Sequence, residues 1–180
     1  MRKLNRSLLA GLGVTPLLCL ASGVWADDDR GAFKARLHGY NEPPSISSTG
    51  SGEFRAKIGH DGASFEYELS FQDLEGEVTQ AHIHIGQRGV NGGISVWLCG
   101  TATNPGPGGT PSCGGPHSGG ASRIVTAADV IGPAGQGVAA GEFEEVLSAM
   151  RAGVTYANVH SIRNPGGEIR GQISGRRDRD

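Results

Sequence analysis

Neither sign of charge dominates this chain: 16 Lys and Arg stand against 18 Asp and Glu in 180 residues. So even a balance leaves no electrostatic footprint for nucleic acid or for anionic lipid, and nucleic acid is excluded as a partner. Charged residues make up 19 % and aromatics 6 % of the sequence, whereas Gly contributes 31 residues. That is the composition of short strands joined by many turns rather than of long helices. No stretch beyond the N-terminus approaches the ~20 apolar residues needed to cross a bilayer, so the mature chain has no expected membrane span. Catalytic signatures are missing as well: there is no Gly-x-Ser-x-Gly elbow and no phosphate loop.

The N-terminus has the parts of an export signal. A basic start, Met1 to Arg6, precedes a short apolar run from Leu8 to Leu20, and Val24-Trp25-Ala26 places small residues at the recognition positions. Cleavage is expected after Ala26, which makes residues 1–26 a signal peptide, 27–31 a disordered lead-in, 32–174 one β-domain and 175–180 a flexible charged tail. Roughly 150 residues then remain, the usual size of one domain around one core. Localisation is expected to be periplasmic or secreted. Only 3 Cys occur. Cys19 falls in the leader, and Leu18 before it lacks the small residue that lipid-modified cysteines require. Cys99 and Cys113 are left to pair in a compartment where disulfides persist, and no thiol remains as a nucleophile.

Alternation of apolar and polar residues predicts the strands. Phe33 to His38 alternates and is stopped by Asn41-Glu42-Pro43-Pro44, since proline lacks the ladder donor. Gly52 to Ile58 and Ser64 to Phe71 flank His60-Asp61-Gly62 and should pair antiparallel, with Phe54, Ala56 and Ile58 facing the same core as Phe65, Tyr67, Leu69 and Phe71. Val78 to Ile85 and Ile94 to Leu98 follow. Residues 100–120 read as a long Gly and Pro loop, and a further strand begins at Ile124. Glu142 to Arg151 has helical spacing, with Phe143, Val146, Leu147 and Met150 on one stripe. Tyr156 to His160 and Glu168 to Ile173 close the domain around an Asn164-Pro165-Gly166-Gly167 turn. Seven to eight short strands, one short helix and no βαβ alternation predict an all-β fold, an antiparallel β-sandwich or Greek-key barrel.

Three segments together resemble one known family. Gln80-Ala-His82-Ile-His84-Ile-Gly86, the Gly89-x-Asn91-Gly92-Gly93 after it, and Tyr156-x-Asn158-Val-His160-Ser161 running through Asn164-Pro-Gly-Gly167-Glu168-Ile-Arg170-Gly-Gln172 resemble the CHRD domain, named for chordin. Leu37-x-Gly39-x-x-Glu42-Pro43-Pro44 fits the start of that family. The resemblance spans Phe33 to Ile173 and implies an extracellular β-domain, associated in animals with the regulation of secreted signalling factors and carrying no general catalytic activity. On it, a non-catalytic binding or structural module is expected, with an unidentified protein or surface as partner.

The histidines offer a second reading. His82 and His84 leave one face of their strand while Ala81, Ile83 and Ile85 occupy the other, and His160 has the same phase opposite Ala157 and Val159. Were the two strands neighbours, three imidazoles would converge on the outer surface of the sheet, with His38 as a candidate fourth. Neutral imidazoles are good ligands for copper and, less so, for zinc. The His-x-His strand is also similar to that of copper/zinc superoxide dismutases, although the long metal-binding loop of that family has no counterpart; His117 and Asp129 fall in the corresponding stretch without its spacing. Equally, such histidines can serve only to hydrogen-bond a covering loop. Asn158, Asn164 and Glu168 read as structural, with the Glu168 carboxylate paired to Arg163 or Arg170 at the surface.

Overall fold

In the computed structural model, residues 31–175 are described. The expected leader with Cys19, most of the lead-in and the tail after Gly175 lie outside them.

Nine strands form one sheet. They are β1 (Ala32–His38), β2 (Ser51–Ile58), β3 (Phe65–Gln72), β4 (Val78–Ile85), β5 (Ile94–Gly100), β6 (Gly119–Val125), β7 (Thr155–Ser161), β8 (Ile169–Gln172) and β9 (Ser174–Gly175). Their order across the sheet is β5-β4-β7-β8-β1-β2-β3-β6, with β9 added to β1, and the ladders between named strands are antiparallel. Gly175, expected to begin the loose tail, is paired with Phe33 instead. One α-helix, α1 (Phe143–Arg151), and three single 3₁₀ turns complete the described chain.

Strict alternation makes one face of each strand apolar, and the curled sheet gathers those faces into one interior. In β3 every second residue is buried, so Phe65, Tyr67, Leu69 and Phe71 meet Phe54 and Ala56 of β2 across a continuous eight-residue register. Ile83, Val96, Leu98, Val159 and Ile169 bring the other half of the sheet to the same core. Helix α1 closes one end. Its stripe of Phe143, Val146, Leu147 and Met150 is buried as the spacing predicts, and Phe143 stacks on Phe65 with ring centroids 5.8 Å apart. Full burial of each such side chain stabilises the fold by about 1.5–3 kcal/mol.

The ends of the sheet, β5 and β6, meet through a short seam. Tyr67 of β3 donates its hydroxyl hydrogen to the Leu98 carbonyl of β5 across the interior. Cys113 donates its N–H to Gly100 O (2.8 Å), and its own carbonyl accepts from Gly120 N (3.0 Å), so one residue bridges both edges. The Cys99–Cys113 disulfide locks it there, as the sequence predicts. Farther along, Ile131 N reaches Ser95 O at 3.0 Å. The result is a nearly closed barrel.

Besides β9, one further element differs from the sequence expectation. β6 starts at Gly119, inside the stretch expected to be loop, and ends at Val125 where a strand was expected to begin. The glycines that read as loop serve close packing: a Cβ on Gly119 would lie 2.2 Å from the Cys113 carbonyl oxygen, so no larger residue permits that approach. Past Val125 the Asp129 carboxylate accepts the Thr126 N–H at 2.8 Å and turns the chain out of the strand.

Candidate metal centre

β4 and β7 are neighbours, with His82 paired to Asn158, His84 to Tyr156 and Gln80 to His160. Because Ala81, Ile83, Ala157 and Val159 face the core, the histidines stand on the outer wall, as strand phase requires. They are not at the surface, however. His82, His84 and His160 are 0 %, 7 % and 5 % exposed, which corrects the expectation of surface histidines. Loops that the alternation pattern does not place fold over this side of the barrel. One carries Gly86 to Gly93, one carries Pro165, and one brings in Glu42.

Gly92 is the residue on which the first loop depends. A Cβ there would lie 1.6 Å from Ile85 O, so only glycine lets the loop lie against the end of β4. Its carbonyl then faces His84, whose Nδ1 donates to it at 3.0 Å. His160 Nδ1 donates to Pro165 O at 2.9 Å. Since a carbonyl only accepts, both rings carry hydrogen on Nδ1 and expose the lone pair of Nε2. His160 Nε2 faces His82 Nδ1 at 3.2 Å, while His82 Nε2 and His84 Nε2 are buried with no hydrogen-bond partner. One ring nitrogen from each histidine falls within 4.8 Å of the others.

All three rings are held neutral. Burial pushes His82 down to about 2, with the neighbouring His160 and His84 acting the same way. Burial likewise pushes His84 down to about 4, against the bond to Gly92 and helped by His160 and Arg170. His160 is lowered by burial, opposed by its bond to Pro165. Neutral imidazole with Nδ1–H anchored on a backbone carbonyl is the form in which histidine ligates metals, because the anchor fixes both ring angle and tautomer.

Aromatic and polar groups wall the trio. Trp97 meets His82 edge-on at 4.4 Å, and Tyr156 stacks parallel to His84 at 4.8 Å. The Arg170 guanidinium lies 3.4 Å from the centre of the Tyr156 ring and donates to Asn91 Oδ1 (3.0 Å) and to the Val90 carbonyl. Asn158 donates to Glu42 Oε1 at 2.6 Å, and burial pushes the Glu42 carboxyl up to about 7 against that bond and the pull of Arg170. Glu42, Tyr156, Trp97 and Arg170 were not singled out as part of this site in the sequence. The phase of β8 carries a signal for Arg170, since Ile169 and Ile173 face the core and Arg170 lies between them.

Two sequence expectations are corrected. His38 is exposed on β1 and lines a shallow 270 Å³ depression with Arg36, Ser51 and Gln72, apart from the trio. Glu168 pairs with neither arginine; it is buried and accepts from Ser48, Ser161 and the Glu75 and Gly76 N–H groups, while Arg163 pairs with Glu75 at 2.9 Å. Asn158 sits in β7, on the strand the alternation predicts, beneath a loop. His117 donates to Leu74 O, and Asp129 engages Arg123 and Thr126, so both are occupied elsewhere.

An antiparallel barrel that buries neutral imidazoles beneath the loops of its outer wall defines a histidine-bearing all-β module. The chain belongs to the CHRD domain family, whose match runs over residues 33–173 and so takes in every strand that carries the trio. Comparisons with curated proteins and with solved structures gave no match. Among the described residues, no helix is long and apolar enough to cross a membrane.

Proposed function

We propose that this chain is an exported CHRD-type binding module whose ligand is a transition-metal ion, copper ahead of zinc, held by His82, His84 and His160. The observation that carries the reading is the buried convergence of ring nitrogens, two of them without any partner. Leaving a buried polar nitrogen unsatisfied costs about 1–3 kcal/mol, and a metal ion bound to it removes that cost. Two nitrogen ligands about 2.0–2.1 Å from a tetrahedral ion sit roughly 3.3 Å apart. The His82–His160 separation of 3.2 Å matches that edge. His84 supplies Nε2, His160 supplies Nε2, and His82 supplies Nε2 as it stands, or Nδ1 once the hydrogen facing His160 has moved to Nε2.

Imidazole favours copper over zinc in the divalent series, which sets the order of the two ions. A role in binding rather than turnover is supported by the enclosure of the rings, since an ion there has no open face for a substrate. The Cys99–Cys113 bond supports an oxidising compartment outside the cytoplasm.

Elemental analysis of the purified protein, followed by titration with copper and zinc salts, tests the proposal. One ion per chain is expected, with a rise in stability of about 2.7 kcal/mol at a hundredfold excess over Kd. Unchanged binding in a His82→Ala, His84→Ala double variant sinks it.

A further inference from the structure

Resting on that reading of the metal centre, we infer that the site is selective for a monovalent soft ion, Cu(I), over Zn(II) and Cu(II). The donor set is three imidazoles and nothing else among the Asp, Glu and Cys side chains of the described residues. Every donor is uncharged, so a captured ion keeps its full formal charge. The cost of moving an ion from water into a low-dielectric interior rises with the square of that charge, which makes a divalent ion about four times as expensive as a monovalent one. The rings are at most 7 % exposed, so water does not offset the difference.

The surroundings sharpen the preference. The cation of Arg170 is held against the same Tyr156 ring on which His84 stacks. The buried carboxyl nearby, Glu42, is bonded to Asn158 and is itself driven toward its neutral form. A positive neighbour with a weakened counter-charge penalises a dication more than a monocation. Coordination number points the same way. Zinc takes four ligands, in structural sites all from protein and in catalytic sites with water as the fourth. Here three nitrogens are offered inside a wall of Trp97 and Tyr156, a number that Cu(I) accepts without a further ligand.

Competition titrations of the whole protein decide the matter. Cu(I) is supplied without oxygen against a chromophoric Cu(I) chelator, and Zn(II) and Cu(II) are titrated against their own chelators. Cu(I) is expected to bind at least about 100-fold more tightly than Zn(II). Gln80→Glu adds one negative charge with little change of shape, on a half-buried residue two before His82 and opposite His160. That variant is expected to narrow the preference about 10-fold, mainly by strengthening Zn(II). His38→Ala, exposed on β1 and outside the trio, leaves the ratio as it is, and His84→Ala with an unchanged circular dichroism spectrum loses the ions. If His84→Ala fails to fold, Gln80→Glu carries the test. Zn(II) or Cu(II) binding as tightly as Cu(I), or a ratio indifferent to Gln80→Glu, overturns the selectivity and leaves the metal centre standing. Failure of all three ions to bind overturns both.

Discussion

Replacing Glu168 by Gln probes how a buried carboxylate holds three parts of the chain together without a cation. Oε1 accepts from Ser48 Oγ (2.7 Å) and Glu75 N (2.6 Å), and Oε2 from Gly76 N (3.2 Å) and Ser161 Oγ. The four donors come from the stretch before β2, the stretch before β4, and the end of β7. A glutamine amide has one oxygen and one NH2. Serine hydroxyls can turn to accept from that NH2, but a backbone N–H cannot, so either orientation leaves Glu75 or Gly76 facing a donor. One orphaned N–H at about 1–3 kcal/mol, plus the lost charge assistance on the remaining bonds, gives a destabilisation of about 3 kcal/mol at pH 7. For a domain of this size that lowers Tm by roughly 10 °C. The carboxyl lies below its ordinary value of 4.5: burial acts to raise it, and the bonds from Ser161, Glu75, Ser48 and Gly76 together outweigh that. A folded-state pKa below the unfolded one contributes stability above the unfolded pKa and loses it as pH falls through the folded one. Denaturant melts of both proteins between pH 3 and 8 should therefore differ by a constant amount above pH 6 and converge in acid. A difference under about 1 kcal/mol at pH 7, or one as large at pH 3, refutes the reasoning.

Glu42 has the opposite sign. Its folded value of about 7 exceeds the ordinary 4.5, so its ionisation erodes stability as pH rises between the two, and Glu42→Gln should stabilise by up to about 3 kcal/mol at pH 8 and by little at pH 4, read from urea midpoints. Phe143→Ala removes the ring stacked on Phe65 at the barrel's end and should destabilise by about 3–5 kcal/mol in equilibrium unfolding. Cys99→Ser with Cys113→Ser opens a cross-link that spans 14 positions, and a loss of about 3 kcal/mol is expected in denaturant melts, matched by the reduced native protein.

The alternation of Phe54 to Ile58 and of Phe65 to Phe71 contains the β2–β3 pairing and its buried face in full, because period-two burial has no competing interpretation there. The same reasoning places His82, His84 and His160 on one wall, since Ile83 and Val159 have only the interior to enter. It could not show that the wall is covered. Gly92 and Pro165 read as turn residues, and nothing local tells that their carbonyls end up on imidazole nitrogens. Glu42 lies 116 positions from Asn158, and such a contact leaves no trace in a local pattern. The surface position expected of Glu168 fails for a related reason. Acidic residues beside arginines suggest an ion pair, whereas this carboxylate is satisfied by hydroxyl and amide donors from distant loops, which sequence proximity does not rank. The start of β6 is hidden in the sequence because glycine marks both loose chain and tight backbone packing, and at Gly119 the second applies.

The seam at Cys113 has a bearing on solubility. Exposed strand margins recruit other chains by offering unpaired amides, and proteins protect themselves by hiding those margins. In this chain the outer edge of β5 is occupied by Ile131 at one end and by Pro111 and Cys113 at the other, with Cys113 also meeting the start of β6. The Cys99–Cys113 linkage therefore pins the residue that covers both rims at that end, while Ile131 covers the other end of β5 without it.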